Sequence, residues 1–133
     1  GWQSVIPDSE ADVKKVKRIV LCSGKVYYDL LEQVRAEKQD NTALIRIEQL
    51  YPFPTSELTA QLTRYPKVKD IVWCQEEPKN QGAWYCTQHH LLSCVAKSQT
   101  VHYVGRPASA APAVGSPLVH AQEQQMLVKE ALN

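Results

Sequence analysis

From Lys17 onward the apolar positions alternate between two patterns. The runs Ile19-Val20-Leu21-Cys22 and Ile71-Val72-Trp73 are short, continuous and partly β-branched, which suits strands buried on both faces. Between them apolar residues recur at helical spacing: Val26, Tyr27, Leu30, Leu31 and Val34, with Glu32, Gln33 and Arg35 on the wet side. Asp40-Asn41 is expected to break that helix, and Thr42 to Ile47 reads as a second strand. Tyr51-Pro52-Phe53-Pro54 continues neither element, because its prolines lack the backbone donor. Thr55 then reads as the N-cap of a helix bearing Leu58, Leu62 and Tyr65.

Asp70 to Gln75 reads as a third strand, and Glu76 to Gly82 as a loop. The next helix carries Trp84, Gln88, Leu91, Leu92 and Val95 on one stripe. Thr100 to Val104 is a fourth strand and Gly105 to Gly115 a small-residue loop. Ser116-Pro117 supplies an N-cap and a first-turn proline for a last helix with Val119, Met126, Leu127 and Ala131. Residues 1 to 16 read as an incoming linker, with Trp2, Val5 and Ile6 as its apolar anchors. Strand and helix thus alternate four times over residues 17–133. That order predicts one α/β domain of three layers, α/β/α, with a mostly parallel sheet.

Composition fits that domain. The chain has 133 residues, 44% hydrophobic and 22% charged, enough for one core without staples. Net charge is +1 with acids and bases interspersed, so neither a nucleic-acid nor a membrane surface is indicated. No apolar run approaches the ~20 residues of a spanning helix, and the N-terminus lacks a signal-peptide layout. The four cysteines form no CxxC pair, and Cys22 and Cys74 close apolar runs as small hydrophobes do. They are read as reduced thiols of an intracellular protein.

Ligands in such sheets gather at the carboxyl ends of the strands. Two segments meet that criterion. Cys22-Ser23-Gly24-Lys25 offers backbone donors, a hydroxyl and a cation that could hold an anion, although neither GxxxxGK[ST] nor GxGxxG is present. A plain turn capped by Ser23 is the simpler account. Glu76 and Glu77 close the third strand before Pro78, Asn80, Gln81, Gly82 and Trp84. Strand neighbours point to opposite faces, so the two acids should not share a proton, which favours partner contact over acid/base chemistry. A solvated loop with Glu77 near a helix N-terminus fits the same residues.

Cys86, His89, His90 and Cys94 invite a zinc reading. Yet eight helical residues span about 12 Å, too far for Cys86 and Cys94 to share one ion. His102 and His120 have no acid or nucleophile at a telling spacing, and GxSxG is missing.

Taken together, VLCSGKVYYDLLEQ, IRIEQLYPFP, VKDIVWCQEEPKNQGAWYC, GRPASAAPAVG and VHAQEQQ resemble the C-terminal region of 2-oxoglutarate dehydrogenase first components. The likeness runs in order from about Lys17 to Asn133, and WCQEEPKNQGAWYCTQHH is most similar to the proteobacterial type. The resemblance implies a transketolase-like C-terminal domain whose mixed sheet has one antiparallel edge strand. It implies an intact enzyme that decarboxylates 2-oxoglutarate on thiamine diphosphate and Mg²⁺ in the tricarboxylic acid cycle. That enzyme then succinylates the lipoyl group of a dihydrolipoyl succinyltransferase core. Partners would be the preceding domains and the second subunit of a homodimer, and the compartment a bacterial cytoplasm or a mitochondrial matrix.

The cofactor belongs, on the same resemblance, to the preceding domains. None of the five glycines here is followed by aspartate, so the Gly-Asp-Gly start of the family's cofactor motif is absent. No catalytic, cofactor-binding or metal residue is therefore assigned. The resemblance points to Ser23, Lys25 and Gln49 as an anionic effector site of the AMP kind. It makes Glu76, Glu77, Asn80, Gln81, Trp84 and Tyr85 an interface. Actinobacterial relatives that bind acetyl-CoA carry arginines where this chain has Thr55, Ser56 and Glu57, and Glu57 would repel CoA phosphates. The leading expectation is a non-catalytic assembly or regulatory domain. The alternatives are a stand-alone flavodoxin-like nucleotide sensor, a purely structural dimerisation domain, and the same domain of a 2-oxoadipate dehydrogenase.

Overall fold

A computed structural model describes residues 3–108 and 117–133. In chain order the elements are β1 (Val5–Ile6), β2 (Arg18–Cys22), α1 (Val26–Ala36), β3 (Thr42–Ile47), α2 (Thr55–Leu62), β4 (Asp70–Pro78), α3 (Trp84–Cys94), β5 (Thr100–Arg106) and α4 (Pro117–Leu132). The strands form one sheet in the order β1-β3-β2-β4-β5. β2 pairs in parallel with β3 and β4, and β4 with β5, while β1 runs antiparallel to β3. This is the three-layer α/β/α architecture with a mostly parallel mixed sheet.

The pleat divides the core. Ile19, Leu21, Ile45, Ile71 and Trp73 face α2 and α3, meeting Leu58, Leu62 and Leu91. Val20, Leu44, Val72 and Cys74 face α1 and α4, meeting Val26, Leu30, Leu127 and Ala131. Burial on both faces explains why β2 and β4 are apolar runs rather than alternating ones.

Several local expectations are corrected. The stretch read as a linker supplies the edge strand β1, and Val5 and Val16 enter the core. Asp8 then accepts the Leu44 N–H at 2.8 Å, capping the edge of β3 beyond the two paired residues. Ser23 does not cap α1: Lys25 occupies the N-cap, without a side-chain bond. Pro54 rather than Thr55 precedes α2, again without one.

The helix α1 ends before Asp40-Asn41. Lys38 adopts φ 51°, its N–H bonding to Arg35 O, while the Gln39 N–H bonds to Val34 O. That pairing closes the helix by itself. On α3 the buried stripe is Thr87, Leu91 and Cys94, leaving Leu92 61% exposed. On α4, Met126 and Val119 face solvent, and Leu127, Val128, Ala131 and Leu132 are buried. Gly105 and Arg106 continue β5 instead of opening a loop. The Ser116 cap and loop residues 109–115 lie outside the described residues.

Candidate functional site

The connection from β2 to β3 runs toward one edge of the sheet and that from β4 to β5 toward the other. The crevice of such a reversal lies at the carboxyl ends of β2 and β4. A cleft of about 770 Å³ lies at that end of the molecule, lined by Lys25, Tyr28, Asp29, Glu32, Glu76 and His120 among others. Lys25 is its cation, against three carboxylates. Neither Ser23 nor Gln49 lines it. Gln49 follows β3, on the other side of β2, and its Nε2 donates to Pro52 O at 2.9 Å. Of the three residues expected to form an effector site, only Lys25 lines this cleft.

Beside it, at the ends of β2 and β3, Arg46 ion-pairs with Glu48 and stacks on Tyr27 at 4.5 Å and Tyr28 at 5.5 Å. A second cation, Arg106, joins the sheet to α4. It donates to the Glu76 carbonyl, to Glu123 Oε2 at 3.1 Å and to Gln124 Oε1 at 3.2 Å. Gln124 Nε2 in turn donates to Asp29 Oδ2 at 2.9 Å and Glu76 Oε2 at 3.2 Å. One amide thus ties α4, α1 and β4 together at the cleft.

The segment expected as an acidic loop is different in kind. β4 continues through Glu76 and Glu77 to Pro78, with an irregularity in its pairing with β5 between Cys74 and Pro78. Glu76 turns toward Gln124 on α4, whereas Glu77 lies where a Cβ on Gly82 would stand 3.0 Å away. Gly82 has φ 67°, so its backbone also needs the residue without a side chain.

The organiser of this turn is Gln75, the last residue of the expected third strand. It is 3% exposed. Its Oε1 accepts the indole N–H of Trp73 at 2.9 Å and the backbone N–H of Trp84 at 3.2 Å. Its Nε2 faces the carbonyls of Glu77, Pro78 and Gln81 at 3.1, 2.9 and 2.9 Å. Two donor hydrogens are shared among those three acceptors. A polar residue ending a buried apolar run was the available signal, because a buried amide must find partners.

Around that hub Trp84 is half-buried, its ring 5.4 Å from that of Tyr103, and it packs on the core. Tyr85 beside it is 52% exposed. Asn80 and Glu77 are exposed, and Gln81 is half-buried with its N–H on Pro78 O. Burial pushes the Tyr103 hydroxyl up to about 12 and the Cys74 thiol up to about 12. Burial also raises Cys22.

The zinc candidates are spread apart: Cys94 Sγ is buried against Thr55 O, while Cys86 is exposed and bonds Ala83 O. His90 stacks on Phe53 with ring centroids 5.0 Å apart. Among the described residues no three metal-ligating side chains converge. His102, expected to lack an acid, has one: its Nε2 lies 3.2 Å from Asp70 Oδ1, brought there by the pairing of β4 with β5.

A family model for the C-terminal region of 2-oxoglutarate dehydrogenase matches residues 1–132. A 2-oxoglutarate dehydrogenase E1 component of Haemophilus influenzae is 56% identical over 133 residues, covering 99% of this chain. Those of Coxiella burnetii and Azotobacter vinelandii are 55% and 53% identical, covering 96% and 98%. The chain spans 14% of the length of each of these relatives. Among solved structures, a split-gene transketolase, described as an inactive β4 tetramer, superposes with a TM-score of 0.58 at 14% identity. The match covers 89% of this chain and 39% of that one. At that identity the likeness concerns the fold, a transketolase C-terminal-like sheet with its antiparallel edge strand. The chain belongs to the 2-oxoglutarate dehydrogenase C-terminal family.

Proposed function

We propose that this domain serves assembly of a thiamine-diphosphate-dependent 2-oxoglutarate dehydrogenase and contributes no reacting group of its own. The intact enzyme would decarboxylate 2-oxoglutarate and pass the succinyl group to the lipoyl arm of a succinyltransferase core in the cytoplasm. High identity to relatives of that name supports the reading. The residues present here do not fit the cofactor. The Gly-Asp-Gly start of the family's cofactor motif is absent, and among the described residues no three His, Cys, Asp or Glu side chains converge on a cation that could bridge a diphosphate.

The observation that carries the assembly role is the Gln75 hub. A buried amide with five hydrogen-bond contacts fixes a turn that presents Glu77, Asn80 and Tyr85 outward. Rigid turns bearing aromatic and polar groups suit a partner surface, since little order is lost on binding. The partner would be the second subunit or a preceding domain.

Trp84 is a poor test of this, because part of it is core. Tyr85→Ala removes an exposed ring and should leave the fold intact. In the full-length enzyme it should weaken dimerisation by roughly 2 kcal/mol, about thirtyfold in dissociation constant, if the ring is an interface hot spot. Sedimentation equilibrium decides. An unchanged dimer in both Tyr85→Ala and Glu77→Ala would remove the interface from this turn.

A further inference from the structure

The opposite edge of the sheet, where the strands begin, holds a second cavity of about 730 Å³. Its floor includes Val16, Tyr65 and Val68, which are 5%, 2% and 1% exposed. Its rim carries the exposed lysines Lys14, Lys17, Lys67 and Lys69. None of these four has a carboxylate within 4.0 Å among the described residues, whereas Lys15, Arg35, Arg46 and Arg106 each do. The one acid lining the cavity, Asp70, already lies against His102. In a chain of net charge +1 this is a local excess of cation over an apolar floor. Such walls lower the effective dielectric and strengthen attraction for a counter-charge.

The rim is also held in place. The Lys17 N–H bonds to Asn41 O at 2.7 Å, and Lys69 O accepts the Thr100 N–H at 2.8 Å. Val68 N–H closes a turn on Tyr65 O at 3.1 Å, and Gln99 Nε2 donates to Val68 O at 3.0 Å. A site held this way loses little freedom when a ligand enters. The hydroxyl of Tyr65 is buried and has no hydrogen-bond partner among the described residues.

We propose that this cavity is a binding site for a small amphipathic anion, an apolar ring or short chain ending in a carboxylate, sulfonate or phosphate. The apolar body would lie on Val16 and Val68, and the charge among the lysines. A volume of this size is that of small-molecule pockets, which favours a small ligand over a protein segment.

The test is a fluorescence titration of the full-length protein with anilinonaphthalene sulfonate. Lys14→Glu combined with Lys67→Glu should weaken the strongest binding about tenfold or more, since two attractive charges become repulsive. Lys25→Glu, at the far edge, should leave that binding unchanged. The proposal is overturned if the wild type shows no such binding, as when another part of the chain covers the cavity. Equal weakening by the Lys14/Lys67 pair and by Lys25→Glu would overturn it as well.

Discussion

Replacing Gln75 by leucine nearly preserves volume and removes every polar contact of the hub. The main cost falls on Trp73, which is 1% exposed and whose indole N–H is given an acceptor by Gln75. A buried donor without a partner costs about 1–3 kcal/mol. The backbone N–H of Trp84 and the carbonyls of Glu77, Pro78 and Gln81 lie nearer solvent, so water replaces part of what they lose. Together with the gain from burying a leucine, the net loss should be about 2–3 kcal/mol. For a domain of this size that lowers the melting temperature by roughly 8–12 °C. Urea unfolding followed by tryptophan fluorescence measures it, with Gln49→Leu as the matched control. Gln49 makes a single exposed bond, to Pro52 O, so its loss should stay below about 1 kcal/mol. Equal costs for the two variants would refute the hub. Gln75→Glu adds a check of sign. An introduced carboxyl, buried and facing three carbonyls, has its folded-state pKa raised, so its deficit should shrink as pH falls.

Four further outcomes are expected. Lys38→Gly should stabilise the domain by about 1 kcal/mol in the same urea assay, because a lysine now holds the left-handed C′ position closing α1. Gly105→Ala should cost about 3 kcal/mol, since its Cβ would meet Gln75 O and Tyr103 Oη at 2.6 Å. Gly24→Ala, with nothing within 4 Å, should cost only about 1 kcal/mol for its φ of 81°. Finally, Cys74 and Tyr103 are each pushed by burial from 9.0 and 10.0 to about 12. Both raised groups keep their protons in the native state while the unfolded chain releases them. Stability should therefore be level with respect to these groups below about pH 9 and fall toward pH 12. Tyr103→Phe should flatten the upper part of that fall in alkaline denaturation curves, and an unchanged slope would count against the assignment.

The order of elements was legible because it is written in local periodicity. Runs such as Ile19 to Cys22 and helical spacing such as Val26, Leu30 and Val34 depend on neighbours within one or two turns. The family was legible from ordered segments such as WCQEEPKNQGAWYC. Boundaries were less so. Glu76 and Glu77 read as loop because they are charged, yet β4 runs on through them to Pro78, which pairs with Arg106 of β5 beyond an irregularity. Val5 and Ile6 became a strand only because β3 leaves an edge for them. The sites depended most on tertiary structure. Gln75 is an ordinary glutamine until Trp73, Pro78, Gln81 and Trp84 are folded around its amide. Arg106 and Gln124 meet Glu76 and Asp29 only because α4 packs back across β4 and α1. Lys14 and Lys17 reach Lys67 and Lys69 because parallel strands begin at one edge, bringing residues some fifty positions apart around one cavity. Periodicity specifies which face of an element is buried, whereas hydrogen-bond partners and charge clusters arise from chain crossings that no local pattern encodes.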